Sequence, residues 1–326
     1  MNHLSTPFLA LSAIVFFSAC AHDTPTATTT EAPIVASVEA PAQVGARAKT
    51  PAFTAVRAEA PAPAVAPVDA PRDGVSLLDA ELSQWEVFTG KPHASRNAEA
   101  RKLLGADWEP GQAGGLGDPF KLFTTSADGS GEVILDVNGR VYAGLTTLES
   151  FSNYHLSLQV KWKEAKWAPR LNKKRDSGII YHAYGEHGAF WDVWKRSLEL
   201  QIQETDTGDL YHLSGPSSVT NRTAEDVWDP AAPASAYRKR VIRSANHESP
   251  HGEWTRVDLY VLGDRAIHVV NGEVVLALKD AKNHQGRPLV AGQIQIQSEG
   301  ADCAFKDIRI RPISDFPEDL RVAAVL

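Results

Sequence analysis

What most restricts how this chain can fold is a two-residue alternation of apolar and polar side chains. In residues 197–204 (SLELQIQE), Leu198, Leu200 and Ile202 alternate with Glu199, Gln201 and Gln203. An extended chain sends successive side chains to opposite faces, so the aliphatic set faces a core and the polar set faces away from it. Residues 154–162 (YHLSLQVKW) repeat the layout, with Leu156, Leu158, Val160 and Trp162 opposing His155, Ser157, Gln159 and Lys161. Residues 292–299 (GQIQIQSE) do so again, with Ile294 and Ile296 opposing Gln293, Gln295, Gln297 and Glu299. A helix would need a period near 3.6, which none of these stretches has. The Gln and Glu rows have two readings: a solvated sheet face, or the floor of a binding cleft if the strands are neighbours.

Further strands are expected at 132–135, 141–145, 177–184, 255–261, 266–270, 274–279 and 303–310, separated by turn pairs such as Asn138-Gly139, Gly263-Asp264 and Asn271-Gly272. The last pair sits between two β-branched runs and predicts a tight hairpin. One short helix is expected over 98–104, and residues 214–252, with four prolines, read as a long irregular loop. Many short strands with frequent turns specify an all-β sandwich or jelly roll with long loops.

The ends read differently. Residues 1–20 carry an apolar run that is too short to span a bilayer but suits a signal peptide, and small residues precede Cys20 as in a lipidation site. This predicts export and a lipid anchor on Cys20 at the cell envelope. Residues 21–72, rich in Ala, Pro and Thr, have no apolar periodicity and read as a disordered tether. The folded domain then spans 73–314, and 315–326 is a C-terminal tail. With Cys20 lipidated, Cys303 has no disulfide partner, since the chain has only two cysteines. A net charge of −7 argues against nucleic acid as a partner. The Arg238-Lys239-Arg240 run reads as a solvated edge.

Three motifs, 154–162, 175–182 (RDSGIIYH) and 198–204, occur in an order that resembles the bacterial 3-keto-disaccharide hydrolase domain family. Gly252-Glu-Trp254, Val270-Asn-Gly272, 296–300 (IQSEG) and 305–309 (FKDIR) continue the likeness to about residue 313. The resemblance implies a concanavalin- or laminin-G-like jelly roll, a carbohydrate substrate, and cleavage of glycosides whose sugar carries a ketone at carbon 3. That ketone acidifies the proton on carbon 2, so a base can remove it, the glycosidic oxygen can leave carbon 1, and water can add back.

Such chemistry needs a base and a group that stabilises the enolate. Glu199 and His182 are the candidate bases, Lys161 and Arg175 the candidate stabilisers. Gln201, Asp176, Gln297 and Glu299 are candidate substrate contacts. Trp191 and Trp194 suit either sugar stacking or core packing. Asp176 and Arg175 alternatively pair with each other, and His182 alternatively serves as a structural histidine. No cofactor is specified; a divalent metal could act as the electrophile, but no compact ligand motif is present, so no metal ligand is expected.

Two other functions compete. A conventional two-carboxylate glycosidase needs a pair of carboxyls on one face, yet Glu199 and Glu204 are an odd number apart. A non-catalytic carbohydrate-binding sandwich needs only the aromatic and amide face.

Overall fold

A computed structural model of the protein describes residues 74–326. The signal segment, Cys20 and the tether lie outside the described residues.

Two antiparallel sheets form a sandwich. The ten-stranded sheet runs Ala234–Tyr237, Ser217–Asn221, Glu273–Lys282, Arg265–Val270, Thr255–Leu262, Tyr154–Lys166, Ala301–Pro312, Val133–Val137 and Phe123–Ala127, with Val75–Ser76 added beside Ala301–Pro312. The seven-stranded sheet runs Leu210–Leu213, Arg196–Gln203, Asp176–Tyr184, Gln293–Ser298, Ala143–Thr147, Trp85–Thr89 and Gly115–Leu116. Leu198, Leu200, Ile202, Ile179, Tyr181, Ile294 and Ile296 supply the inner face of the smaller sheet. They belong to one buried cluster with Leu156, Leu158, Val257, Leu259 and Phe305 of the larger. Alternation therefore assigns the inner faces correctly on all three diagnostic strands.

The ten expected strands all form, with ends shifted by a few residues. Asn271 and Gly272 close the Arg265–Val270/Glu273–Lys282 hairpin with φ of 48° and 87°, the positive pair such a two-residue turn demands. The expected helix is present as Asn97–Leu104. Two expectations need correction. Residues 214–252 are not a bare loop, because Ser217–Asn221 and Ala234–Tyr237 pair with each other and extend the larger sheet. Their short polar runs lack the aliphatic face that marks a buried strand. Arg240 is also more than a solvated edge: its guanidinium meets Asp209, which is wholly buried, at 2.5 Å.

The three polar rows do not share one surface. Tyr154–Lys166 lies in the ten-stranded sheet, whereas Arg196–Gln203 and Gln293–Ser298 flank Asp176–Tyr184 in the seven-stranded one. Only the latter two rows can build a common floor.

Candidate active site

On the outer face of the seven-stranded sheet, Gly178 pairs with Gln201. It has no side chain to occupy the space above it, and Glu199 and Gln297 fill that space from either side: a β-carbon on Gly178 would overlap both Glu199 Oε1 and Gln297 Oε1. The Gln297 amide interacts with the Glu199 carboxyl, and Tyr211 stands directly opposite Glu199 on the neighbouring strand.

Two more carboxyls adjoin. Asp176 starts the central strand, and Glu299 lies in the turn after Gln293–Ser298. Arg170 joins them, reaching from the segment that links Tyr154–Lys166 to Asp176–Tyr184. Its Nη1 donates to Glu299 Oε1 at 3.2 Å, and its Nη2 forms an ion pair with Asp176. Gln203 Nε2 donates to Asp176 Oδ2 at 2.6 Å. The Arg170 side chain rests on Gly300, whose φ of 78° and lack of a β-carbon make the close approach possible. Trp167 holds the segment in place: its N–H donates to Gly300 O at 2.8 Å and its Nε1 to Asp302 Oδ1 at 2.6 Å.

Asp176 and Glu299 thus share one guanidinium, with Glu199 beside them, and burial shifts the protonation of all three. Burial raises Glu199 well above the usual carboxylate range, the Asp176 charge adds to this, and Gln297 and Arg170 offset it in part. Glu299 rises for the same first reason, followed by the Asp176 charge. Asp176 is also raised by burial, against the pull of Arg170 and Gln203. Such a cluster favours its protonated forms more than exposed carboxyls do, and its members titrate together. Tyr142 lies beside Arg170; burial raises its phenol and keeps it neutral. Four buried polar atoms here have no partner: Asp176 Oδ1, Gln201 Oε1, Gln297 Oε1 and Arg170 Nε. Buried polar groups are nearly always paired, so orphans gathered on one face mark a place for a polar ligand.

The aromatic residues adjoin this cluster. Ile180, Ala183, Val193, Trp194 and Leu213 form a small apolar patch with Tyr142, Phe190 and Tyr211 packed against it. Trp194 is buried within the patch, whereas Trp191 is 48% exposed and stacks on Phe190 at 5.0 Å. Core packing therefore describes Trp194, and sugar stacking remains open to Trp191.

Glu199, Asp176, Gln201, Gln297 and Glu299 are brought together; three other candidates are not. Lys161 is on the ten-stranded sheet, its ammonium 4.7 Å from the Trp254 ring centroid. Arg175 turns away from Asp176, donating to Glu204 Oε1 at 3.0 Å and to Lys163 O at 2.9 Å. His182 is excluded by a bulge, since the register shifts between Tyr181 and Tyr184 and His182 has φ of 51°. The extra residue leaves Ile180 and Ala183 on the outer face and turns His182 inward with Tyr181, near the Gly263 backbone. Its ring is buried with neither nitrogen hydrogen-bonded, and burial lowers its pKa to about 4. Glu204, occupied by Arg175, is not a second carboxyl for Glu199.

Sequence reasoning missed Arg170, Tyr142 and Tyr211. Arg170 sits outside any periodic stretch, so alternation gives no sign of it. Tyr211 sits in a four-residue strand that alternation does not reveal. Among the described residues, no group of three or more His, Cys, Asp or Glu side chains is arranged to hold a metal ion.

Residues 73–311 match the model of the 3-keto-alpha-glucoside-1,2-lyase-like domain family. No curated protein matches the sequence. Similar solved structures include one from Parabacteroides distasonis ATCC 8503 with a provisional glycosyl hydrolase assignment: 16% identity and a TM-score of 0.38, covering 59% of this chain and 91% of that one. The carbohydrate-binding module CBM66 from Bacillus subtilis aligns at 11% identity and a TM-score of 0.35, covering 58% and 91%. The alginate lyase AlyC3 aligns at 12% identity and a TM-score of 0.37, covering 70% and 90%.

Proposed function

Because this chain belongs to the 3-keto-alpha-glucoside-1,2-lyase-like domain family, we propose that it cleaves glycosides whose sugar ring carries a ketone at carbon 3, by elimination followed by hydration. The observation that carries this reading is the buried carboxyl Glu199 beside Asp176 and Glu299, which pair with Arg170, with the orphaned polar atoms around them.

In its ionised form Glu199 removes the proton from carbon 2, and the electron pair of that C–H bond moves toward the carbon 3 carbonyl as an enolate. A carboxylate whose conjugate acid is weakened by burial is a stronger base than one in water, which suits a carbon acid. Tyr142 and Arg170 take the stabilising role first sought in Lys161 and Arg175. A phenol that accepts from Arg170 keeps its O–H free to donate to the enolate oxygen, and Arg170 Nε is unpaired. The enolate collapses, the bond from carbon 1 to the glycosidic oxygen breaks, and the leaving oxygen takes a proton from the cluster. Water then adds across the double bond, its hydroxyl to carbon 1 and a proton to carbon 2. Substrate plus water gives the 3-keto sugar and the free aglycone, a net hydrolysis. Gln201 and Gln297 orient ring hydroxyls, and Trp191 offers an apolar face to the sugar.

Comparing a 3-keto-glucoside with its 3-hydroxy parent tests this. The reading predicts cleavage of the first only, and loss of that cleavage in Glu199→Gln. Equal cleavage of both would point to ordinary glycoside hydrolysis. Cleavage of neither, with retained sugar binding, would make the aromatic and amide face a carbohydrate-binding surface instead.

Export and lipid anchoring are part of the same proposal, supported by the apolar run that ends at Cys20. Cys20→Ser should release the protein from the membrane fraction; unchanged fractionation with the signal still cleaved would contradict anchoring.

A further inference from the structure

At the edge of the carboxyl cluster stands Tyr211. Its strand, Leu210–Leu213, pairs antiparallel with Arg196–Gln203, and Tyr211 is the residue directly opposite Glu199. Cross-strand partners have β-carbons about 5 Å apart and project from the same face of the sheet. Tyr211 therefore rises from the outer face next to Glu199, on the side away from Gly178. It packs there against the apolar patch of Ile180, Trp194 and Leu213.

The phenol is available for chemistry. Among the described residues none hydrogen-bonds the Tyr211 hydroxyl, whereas Tyr181 and Tyr184 engage theirs with His268 and His284, each at 3.0 Å. Burial raises the Tyr211 pKa, so the group carries its proton at neutral pH. Arg240 pulls the other way and favours the phenolate, with its guanidinium carbon 5.7 Å from the ring centroid. That cation is fixed in place, since Arg240 Nε donates to Asp209 Oδ2 at 2.6 Å. The carboxyls other than Glu199 are occupied, because Asp176 and Glu299 both pair with Arg170. A protonated hydroxyl without a partner, beside the base and near a cation, meets the needs of a general acid.

We propose that Tyr211 is a catalytic residue, the general acid that protonates the glycosidic oxygen as it leaves carbon 1. This rests on the reading of Glu199 as the base at carbon 2. Carbon 2 and the leaving oxygen are both bonded to carbon 1, so neighbouring side chains on one sheet face can serve the two. Glu199 takes the carbon 2 proton. The bond from carbon 1 to oxygen then breaks as the Tyr211 proton passes to that oxygen, which leaves a phenolate near Arg240. In the hydration, the hydroxyl of water joins carbon 1 and its proton goes to the phenolate. Glu199, whose acid proton has exchanged with solvent, returns one to carbon 2. Both side chains end in the protonation state in which they began.

The experiment compares p-nitrophenyl and methyl 3-keto-glucosides of one anomeric form in wild type and Tyr211→Phe, following release of the aglycone. p-Nitrophenolate leaves without a proton, whereas methoxide needs one. In Tyr211→Phe the ratio of the p-nitrophenyl rate to the methyl rate should rise about hundredfold, the usual scale for a lost general acid. The substitution removes one hydroxyl from a half-buried ring, so the thermal midpoint should stay near wild type. In deuterium oxide, methyl substrate recovered uncleaved from Tyr211→Phe should carry deuterium at carbon 2, because the base still acts while the carbon–oxygen bond waits. An unchanged ratio, whether both rates fall or neither does, overturns the acid role. If wild type exchanges carbon 2 and cleaves both substrates, that result removes the role of Tyr211 and keeps the reaction. A wild-type protein that neither exchanges carbon 2 nor cleaves either substrate overturns the reaction, and the role of Tyr211 with it.

Discussion

Glu199 lies over the α-carbon of Gly178, on the strand beside its own, in the space a side chain at 178 would fill. The glycine is thus part of the site without any functional group. Gly178→Ala should displace the ends of Glu199 and Gln297, which are flexible, rather than the backbone. The expected outcome is a fall in kcat of about tenfold or more, as misplacing a catalytic group costs, with a thermal midpoint close to wild type. An unchanged kcat would mean that Glu199 does not act from this position.

Leu200 is wholly buried between the sheets, flanked in sequence by Glu199 and Gln201, which are buried on the outer face of the same sheet. Leu200→Ala should cost about 2–5 kcal/mol of stability in denaturant titration, through lost burial and the cavity left behind. A loss below about 1 kcal/mol would contradict burial of Leu200 between the sheets.

His182 is turned away from the cluster, so His182→Ala should leave kcat within about threefold of wild type, far from the roughly hundredfold loss expected of a general base. Its effect should appear in acid. The folded pKa is about 4 against the ordinary histidine value of 6.5, so the unfolded chain binds the proton more readily between those values. Stability is then lost as pH falls from about 6.5 to 4, by up to about 3 kcal/mol for this one group. His182→Ala should show less of that acid loss when denaturant midpoints at pH 7 and pH 4.5 are compared.

Glu199 has the opposite sign. Its folded pKa is raised, so the folded state holds the proton more tightly, and its contribution to stability is lost as pH rises above the usual carboxylate range. Glu199→Gln mimics the protonated form and should become more stable relative to wild type as pH rises from about 4 to 8. Wild-type kcat/KM should rise over a limb lying above the ordinary carboxylate pKa, an apparent value belonging to the Glu199, Asp176 and Glu299 cluster together. A rate profile flat from pH 4 upward would show that no such proton is lost.

The faces of the sheets were legible in the sequence wherever a strand was long and half-buried, because a period of two is rigidly tied to backbone geometry. Leu198, Leu200 and Ile202 are inside and Glu199 outside as the alternation requires. Which strands are neighbours was not legible. Lys161 shares the layout of Glu199 yet belongs to the other sheet, since its strand pairs with Thr255–Leu262 and Ala301–Pro312, distant stretches that leave no local trace. His182 shows a second limit: one bulged residue reverses every side chain after it, and the sequence around Gly178 did not reveal where the bulge falls. Arg170 shows a third, because a lone arginine in an aperiodic segment acquires its role only when folding sets it between Asp176 and Glu299.

The most direct test of the account follows the proton at carbon 2. A 3-keto-glucoside cleaved in deuterium oxide by the wild-type protein should yield a 3-keto sugar carrying one deuterium at carbon 2, at a rate that matches cleavage. Glu199→Gln should neither cleave the substrate nor exchange that position above the enzyme-free rate. Cleavage by the wild-type protein with the original hydrogen retained at carbon 2 would contradict base-driven elimination at Glu199.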